Sequence, residues 1–325
     1  MQLDNNDRRL LNLIQAEFPL TREPFADLGQ RLGTGGDEVI KRIEQLKERG
    51  IIRLIGPVLD SRSLGYHTTL VAMKVAKNYM EKAEQVITGH LGVSHGYERN
   101  HNFNVWFTLA LRPASDIDTE LKQLTRSTGA EAALSLPAIK LFKIGVFFDM
   151  DENGQHASPI HLNNVLDKKI ELSSTDRLII NELQQDLPLV SAPFIAMGER
   201  TGMDVERFLA GCRLLQERGV IRRFSASINH KNAGFTANAM SCWMAPPNKV
   251  DIAGQKLASL REVSHCYERK TNPLWQYNIF AMIHSCSREV CREIAEKISR
   301  ETGLTDYVLL YSTKEFKKTR VKYLA

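Results

Sequence analysis

Apolar residues at helical spacing open the chain. Leu10, Leu11, Leu13 and Ile14 form one face of a helix that Asp4 can cap and that ends before Pro19. Phe25, Leu28 and Leu32 recur at i, i+3 and i+7 until Gly33 stops the run. Val39, Ile40, Ile43 and Leu46 mark a third helix, closed by Arg49-Gly50 with glycine at the C′ position. Over 51–58 the pattern changes to an extended, β-branched run. Three helices followed by a ribbon strand predict a winged helix-turn-helix.

Beyond Gly65 the periodicity alternates. Strand signals cover 68–75, 93–99, 103–111 and 139–148, and helix signals cover 80–89 and 117–128. This βαββαβ order is ferredoxin-like. The same series then returns. Helices are expected at 178–183, 194–200 and 205–215, and an extended run at 220–228. Strands and helices alternate again over 236–243, 251–260, 263–269, 276–283, 288–302 and 307–313. The expected fold is α+β, a tandem duplication of a winged helix-turn-helix plus a ferredoxin-like unit. Its boundaries fall at 1–60, 61–150, a linker at 151–172, 173–229 and 230–325. The linker carries Asn153, Gly154, Pro159, Asn163 and Asn164 and little periodicity.

The duplication is legible residue by residue. Ser94-His95-Gly96-Tyr97-Glu98-Arg99 returns as Ser264-His265-Cys266-Tyr267-Glu268-Arg269. Arg49-Gly50-Ile51-Ile52-Arg53 matches Arg218-Gly219-Val220-Ile221-Arg222, and Asp7-Arg8 matches Asp176-Arg177. A repeat this long means two copies of one folding unit rather than a solenoid. Polar residues kept in both copies therefore occupy equivalent places.

Composition narrows the function classes modestly. The 325 residues are 43% hydrophobic and 25% charged, with 43 Lys plus Arg against 38 Asp plus Glu. The net charge of +5 favours an anionic partner without choosing between nucleic acid and an acidic small molecule. No apolar run reaches membrane-spanning length, and the polar segment 1–9 is no signal peptide, so a cytoplasmic location is expected. The five cysteines all fall in the second half without metal or haem-attachment spacing, and read as ordinary thiols. No metal site is expected.

A winged helix normally suggests DNA, but the reading ends of the third helices carry Asp37-Glu38 and Asp204 with Glu206. Carboxylates there suit the helix dipole and repel phosphate, whose attraction dominates DNA affinity. Lys41, Arg42 and Arg207 are the remaining cations. Scaffolding or dimerisation is the favoured role, and DNA binding is not expected.

The repeated motif carries the chemistry. His95, Tyr97 and Arg99 alternate along a strand and project from one face, as do His265, Tyr267 and Arg269. A polar floor kept twice points to a binding surface rather than a solvated sheet edge. Arginine grips carboxylates and histidine can donate a proton near neutrality. The hairpins that follow diverge. Phe103-Asn104-Val105-Trp106 aligns with Tyr277-Asn278-Ile279-Phe280, so the second loop is longer; His101 has no counterpart there, and Pro273 and Trp275 take its place. Trp106 and Phe280 read as core, Asn104 and Asn278 as satisfying backbone groups, and Trp275 as either core or ligand wall.

A winged helix followed by βαββαβ resembles the Lrp/AsnC regulators. Within that superfamily, V-S-H-x-Y-E-R followed by N-H-x-F-N-V-W-F-T, with a sister copy carrying W-x-Y-N-x-F-x-M-I-H, resembles the siroheme decarboxylases, over essentially the whole chain. Those enzymes are usually pairs of related subunits, and this chain looks like a fused pair. The resemblance implies loss of the C12 and C18 acetate carboxyls of siroheme to give 12,18-didecarboxysiroheme in haem synthesis. It implies no oxidant or added cofactor, the iron belonging to the substrate. Catalytic roles are implied for His95, His101, Tyr97 and His265, with His101 or His95 as proton donor, and substrate binding for Arg99, Arg269, Tyr267, Lys270 and Trp275. A homodimer or higher oligomer through the ferredoxin-like domains is expected. His67, His90, His230 and His284 stand as iron ligands or bystanders, and His156 and His161 as exposed linker residues. An Lrp-like regulator with a small effector, and a haem-binding sensor, are the competing readings.

Overall fold

The computed structural model describes residues 3–145, 150, 170–229 and 237–323. The first half comprises α1 (Asn5–Ala16), α2 (Pro24–Leu32), α3 (Gly36–Glu48), β1 (Ile52–Leu59), β2 (His67–Lys74), α4 (Met80–Gly89), β3 (Val93–Arg99), β4 (Val105–Leu111), α5 (Ile117–Thr128), β5 (Ala132–Leu136) and β6 (Ala138–Ile144). The second comprises α6 (Ser174–Leu183), α7 (Pro193–Arg200), α8 (Val205–Glu217), β7 (Ile221–Ile228), β8 (Ala237–Trp243), α9 (Val250–Ser259), β9 (Val263–Arg269), β10 (Ile279–Ser285), α10 (Arg288–Thr302) and β11 (Tyr307–Lys318). The expected linker over 151–169, the strand tail over 146–148, Thr236, and His156, His161 and His230 lie outside the described residues.

Local rules explain the helix ends. Asp4 and Ser173 cap α1 and α6 in reciprocal capping boxes with Asp7 and Asp176. The repeated Asp and Arg pairs are part of this scaffold: Arg218 binds Asp176 at 2.8 Å, and Arg49 lies 3.9 Å from Asp7. At the end of α3, Gly50 takes φ 65°, the left-handed region that glycine enters freely.

The winged helices do not stand alone. Each contributes one ribbon strand, and β1 pairs antiparallel with β7 of the other half, where a separate ribbon in each unit was expected. Leu10, Ile14, Phe18, Phe25 and Ile43 share one apolar core with Ile180, Phe194, Phe208 and Phe224. Pulling the two units apart would expose that core and the ribbon's hydrogen-bonding edges.

The ferredoxin-like units also exchange their last strands. The first part of β11, up to Tyr311, pairs with β8 of its own half, and the part from Ser312 onward pairs with β3 of the other. Likewise β5 pairs with β2, and β6, beyond Pro137, crosses to β9. The expected strand over 139–148 corresponds to β6, and β5, on the other side of Pro137, is a further strand that was not expected. The one expected over 307–313 runs to Lys318. Helices cover the outer faces. The inner faces meet in a cluster of Trp106, Leu134, Leu136, Met240, Phe280 and Leu310, joined by Trp275. No helix among the described residues is long and apolar enough to cross a membrane.

Candidate functional site

The two triplets lie on these inner faces. Tyr97 stands opposite Trp106, and Tyr267 opposite Phe280, so each tyrosine shares its face with an aromatic ring of the inter-sheet cluster. Register shifts at Val93/His95 and at Val263/His265 make Ser94 and Ser264 the extra residues of β-bulges. A bulge re-aims side chains, and each serine Oγ comes to 2.9 Å from Nδ1 of the histidine that follows.

Arg99 and Arg269 occupy the deep end. Arg99 Nη1 donates to the Leu310 carbonyl at 2.8 Å, and Arg269 Nη1 to the Leu136 carbonyl at 2.9 Å, so each guanidinium ties its sheet to the facing one. Tyr97 and Tyr267 lie under these cations at 5.3 and 4.7 Å. Both Nε atoms are buried without a hydrogen-bond partner among the described residues, and no carboxylate pairs with either cation among the described ion pairs. Burial pushes both guanidinium groups down to about 10. Two buried cations without a counter-ion among the described residues are costly unless an anion is to be met.

The histidines lie nearer the β1–β7 ribbon. His95 is pushed down to about 4 by burial, then by Lys318 and Arg53. His265 is pushed down to about 3 by burial, then by His95 itself, Lys318, Arg223 and Arg269. The two rings therefore share one electrostatic neighbourhood. Each keeps some accessible surface while lying deep in the protein. Burial raises both tyrosine hydroxyls well above their ordinary range, so they stay protonated donors.

A rim of cations comes from segments outside the motif. Arg53 on β1 donates to Glu315 Oε1 at 3.2 Å, Arg222 on β7 binds Asp60 at 2.6 Å, and Arg320 Nη1 donates to the Pro57 carbonyl at 2.8 Å. Gly56 makes room for this last contact, since a Cβ there would come within 2.9 Å of Arg320 Nη1. Arg320 is pushed down to about 10, first by burial and then by Arg223. Sequence reasoning missed Lys318, Arg53, Arg223 and Arg320 as site residues. Arg53 carried a usable signal, the repeated Arg-Gly-x-Ile-Arg element, whereas Lys318 and Arg320 lie past the expected end of the last strand.

The remaining expected residues separate. His101 sits past the end of β3, where its N–H turns back to the Arg99 carbonyl, in an aromatic cluster. Its ring meets Trp275 edge-on at 5.3 Å, and Trp275 meets Trp106 at 5.0 Å. The longer loop of the second half thus closes over the first half's hairpin. Lys270 is exposed, and its backbone N–H donates to the Pro137 carbonyl. His67 is exposed, and His90 binds Glu120 on α5 at 2.9 Å. Asn104 and Asn278 each make paired hydrogen bonds to the backbone, of Val75 and Ala245. Cys212, Cys242, Cys266 and Cys291 are buried free thiols, and Cys286 is exposed. The hollow on α5 lined by Thr119, Lys122 and Arg126 lies apart from all these groups.

At the reading ends of the winged helices, Arg42 is held by Asp4, Asp7 and Glu38 at 2.8–2.9 Å. Asp204 caps α8 by accepting from the Arg207 N–H. Exposed Asp37 precedes α3's cations.

Comparison with known proteins agrees with this architecture. Residues 7–53 and 176–222 match the siroheme decarboxylase NirDL-like HTH domain, and residues 63–143 and 232–317 match the AsnC-like ligand binding domain. A siroheme decarboxylase of Hydrogenobacter thermophilus is 39% identical over 99% of this chain and 96% of its own. The siroheme decarboxylase beta subunit of Methanosarcina barkeri is 40% identical over 46% of this chain and 99% of its own, so a single subunit there corresponds to one half here. The crystal structure of the siroheme decarboxylase NirDL in co-complex with an iron-uroporphyrin III analogue matches with a TM-score of 0.73 and 36% identity, over 99% of this chain and 95% of that one. The duplicated α+β fold is as expected, the two halves pair within one chain, and the chain belongs to the siroheme decarboxylase family in its fused, single-chain form.

Proposed function

We propose that this chain decarboxylates siroheme, removing the C12 and C18 acetate carboxyls to give 12,18-didecarboxysiroheme, with no added cofactor. The observation that carries the reading is the meeting of His95 and His265 within one field of cations, backed by Arg99 and Arg269, whose Nε atoms have no partner among the described residues. Siroheme bears eight carboxylates, and such a field is the complement they require.

The chemistry follows from the charges. Without ligand, burial and neighbouring cations hold both imidazoles neutral. Carboxylates placed against Lys318, Arg53 and Arg223 offset those cations, so binding raises both histidines toward protonation. Loss of CO2 from a pyrrole acetate leaves an electron pair on the methylene carbon, and a positioned imidazole supplies the proton that completes the methyl group. Tyr97 and Tyr267, kept protonated, hydrogen-bond peripheral carboxylates and hold the macrocycle while Arg99 and Arg269 anchor its deep edge. The winged helices serve as scaffold and supply the ribbon cations. Association of whole chains into homodimers and a cytoplasmic location belong to the same reading, with sedimentation and cell fractionation as their tests.

Anaerobic incubation of the purified chain with siroheme, followed by mass spectrometry, tests the activity. Loss of two CO2 from each macrocycle is expected. A bound, spectrally shifted but chemically unchanged tetrapyrrole would replace this reading with a sensor or carrier.

A further inference from the structure

Behind the two histidines the hydrogen bonding differs. Ser94 Oγ meets His95, and Ser264 Oγ meets His265, each at 2.9 Å. Ser264 Oγ also lies 2.9 Å from His284 Nε2, giving a buried chain His284–Ser264–His265. His284 occupies on β10 the place that Ala110 holds on β4. The backbone fixes that equivalence, because Ala110 N–H donates to the Gly92 carbonyl and His284 N–H donates to the Glu262 carbonyl. A methyl group cannot continue the chain, so the first half ends at Ser94.

The strand opposite each histidine differs as well. Lys318 of β11 is the register partner of His95, and Ile144 of β6 is the partner of His265. One position further in, Glu315 faces Tyr97 where Leu141 faces Tyr267. His265 also feels Lys318, Arg223 and Arg269, but only His95 has the ammonium as its direct strand partner. The carboxylate beside Ile144 is held as a carboxylate less directly, and CO2 loss is easier from the less stabilised group.

We propose that His284, acting through Ser264, sets and reloads the proton of His265, so that His265 delivers the proton to the decarboxylated carbon while His95 with Lys318 grips a carboxylate that stays. This rests on the siroheme decarboxylase reading above. A serine hydroxyl has one hydrogen and can accept from a second group while donating it. With Oγ–H directed at His265 Nδ1, His284 Nε2–H donates to Oγ, and His265 holds its proton on Nε2.

The step balances on that polarity. The acetate C–C bond breaks, CO2 leaves, and the electron pair stays on the methylene carbon. That pair takes the Nε2 proton of His265. The Ser264 hydroxyl proton moves to His265 Nδ1, the His284 Nε2 proton moves to Oγ, and one proton drawn from solvent makes up the loss from the His284 ring. The net change is carboxylate plus one proton to methyl plus CO2, with nothing oxidised or reduced by an outside reagent. Because one station reacts and the other grips, the macrocycle must turn or rebind between its two acetates.

The experiment measures siroheme turnover, the solvent deuterium isotope effect and siroheme binding by visible absorbance for the full chain and for His284→Ala, Ser264→Ala, Ser264→Thr and Ser94→Ala. His284→Ala and Ser264→Ala should lower kcat on the order of tenfold to a hundredfold, at or below the range of a positioned proton donor. Their KM and binding should hold while the solvent isotope effect changes. Ser264→Thr, which keeps a hydroxyl, should recover most of the rate, and Ser94→Ala should lose less than Ser264→Ala. If wild type turns over and His284→Ala matches it in rate and isotope effect, or if Ser94→Ala falls as far as Ser264→Ala, the relay is wrong. If wild type binds siroheme without releasing CO2, the functional reading itself fails.

Discussion

His95 and His265 hold the same strand position in the two halves, yet one faces Lys318 across the strand pair and the other faces Ile144. One is backed by a serine that stops at Ala110's methyl, the other by a serine that continues to His284. Duplication sets two identical triplets on facing sheets, and divergence of the strands around them makes the triplets unequal. Repeated residues therefore report where a site lies, and the unrepeated neighbours report what each copy does there.

The largest effect should come from the histidines themselves. His265→Ala is expected to lower kcat by about 10²–10⁴, the range for a positioned general acid, with siroheme binding largely kept. His95→Ala should act mainly on KM. Steady-state kinetics on both variants break the comparison if the two kcat losses are equal.

Acid stability sharpens it next. The histidines stay neutral in the folded chain down to about 4 and about 3, whereas in the unfolded chain they take up protons below about 6.5. The unfolded state thus binds more protons between about 6.5 and 4, and stability falls as pH drops through that window. Each pKa unit corresponds to about 1.4 kcal/mol, and since both rings keep some accessible surface the total is of order a few kcal/mol. The urea midpoint of the ligand-free chain should fall between pH 7.5 and pH 5, and the fall should shrink in the His95→Gln, His265→Gln double variant. An equal fall in that variant would assign the acid sensitivity elsewhere.

Exchanging the strand neighbours is a milder perturbation. Lys318→Met should raise KM for siroheme by about tenfold, near 1.4 kcal/mol, with kcat changed little, because it removes a carboxylate partner from the gripping station. Ile144→Lys should lower kcat, because an ammonium would then hold the leaving carboxylate. A kcat loss in Lys318→Met at unchanged KM would reverse the two stations.

How much of this was legible in the sequence depended on whether the cause was local. Helix faces, caps and stop glycines are local, and α1 to α3 lie close to where the periodicity placed them. The triplets were legible because they repeat. Lys318 and Arg320 were not, because β11 extends past residue 313 only by pairing with β3, far earlier in the chain. The shared β1–β7 ribbon is hidden for the same reason. In the sequence His284 is one of four histidines that stand as iron ligands or bystanders, and its link to His265 needs the bulge at Ser264, which no local pattern announces.

His101 gives the smallest expected effect and the clearest contrast between motif and geometry. Its place in the family-like motif suggested a proton donor, yet its ring lies among Phe103 and Trp275, and its Nδ1 accepts from the Phe103 N–H at 3.0 Å. A ring so engaged fixes the hairpin over which the second half's loop closes. His101→Gln keeps a polar group of similar reach and should hold kcat within about threefold, far less than the 10²–10⁴ of a general acid, while lowering thermal stability slightly. The loop that replaces His101 in the second half supplies Trp275, buried at 3% exposure against Trp106. Trp275→Ala should therefore cost about 3–5 kcal/mol of stability, as other buried aromatic truncations do, and do so by loosening the first half. If His101→Gln instead lost two orders of magnitude in kcat with Trp275 still packed, the aromatic cluster would be a reacting station, and the division of labour would run between it and the paired histidines.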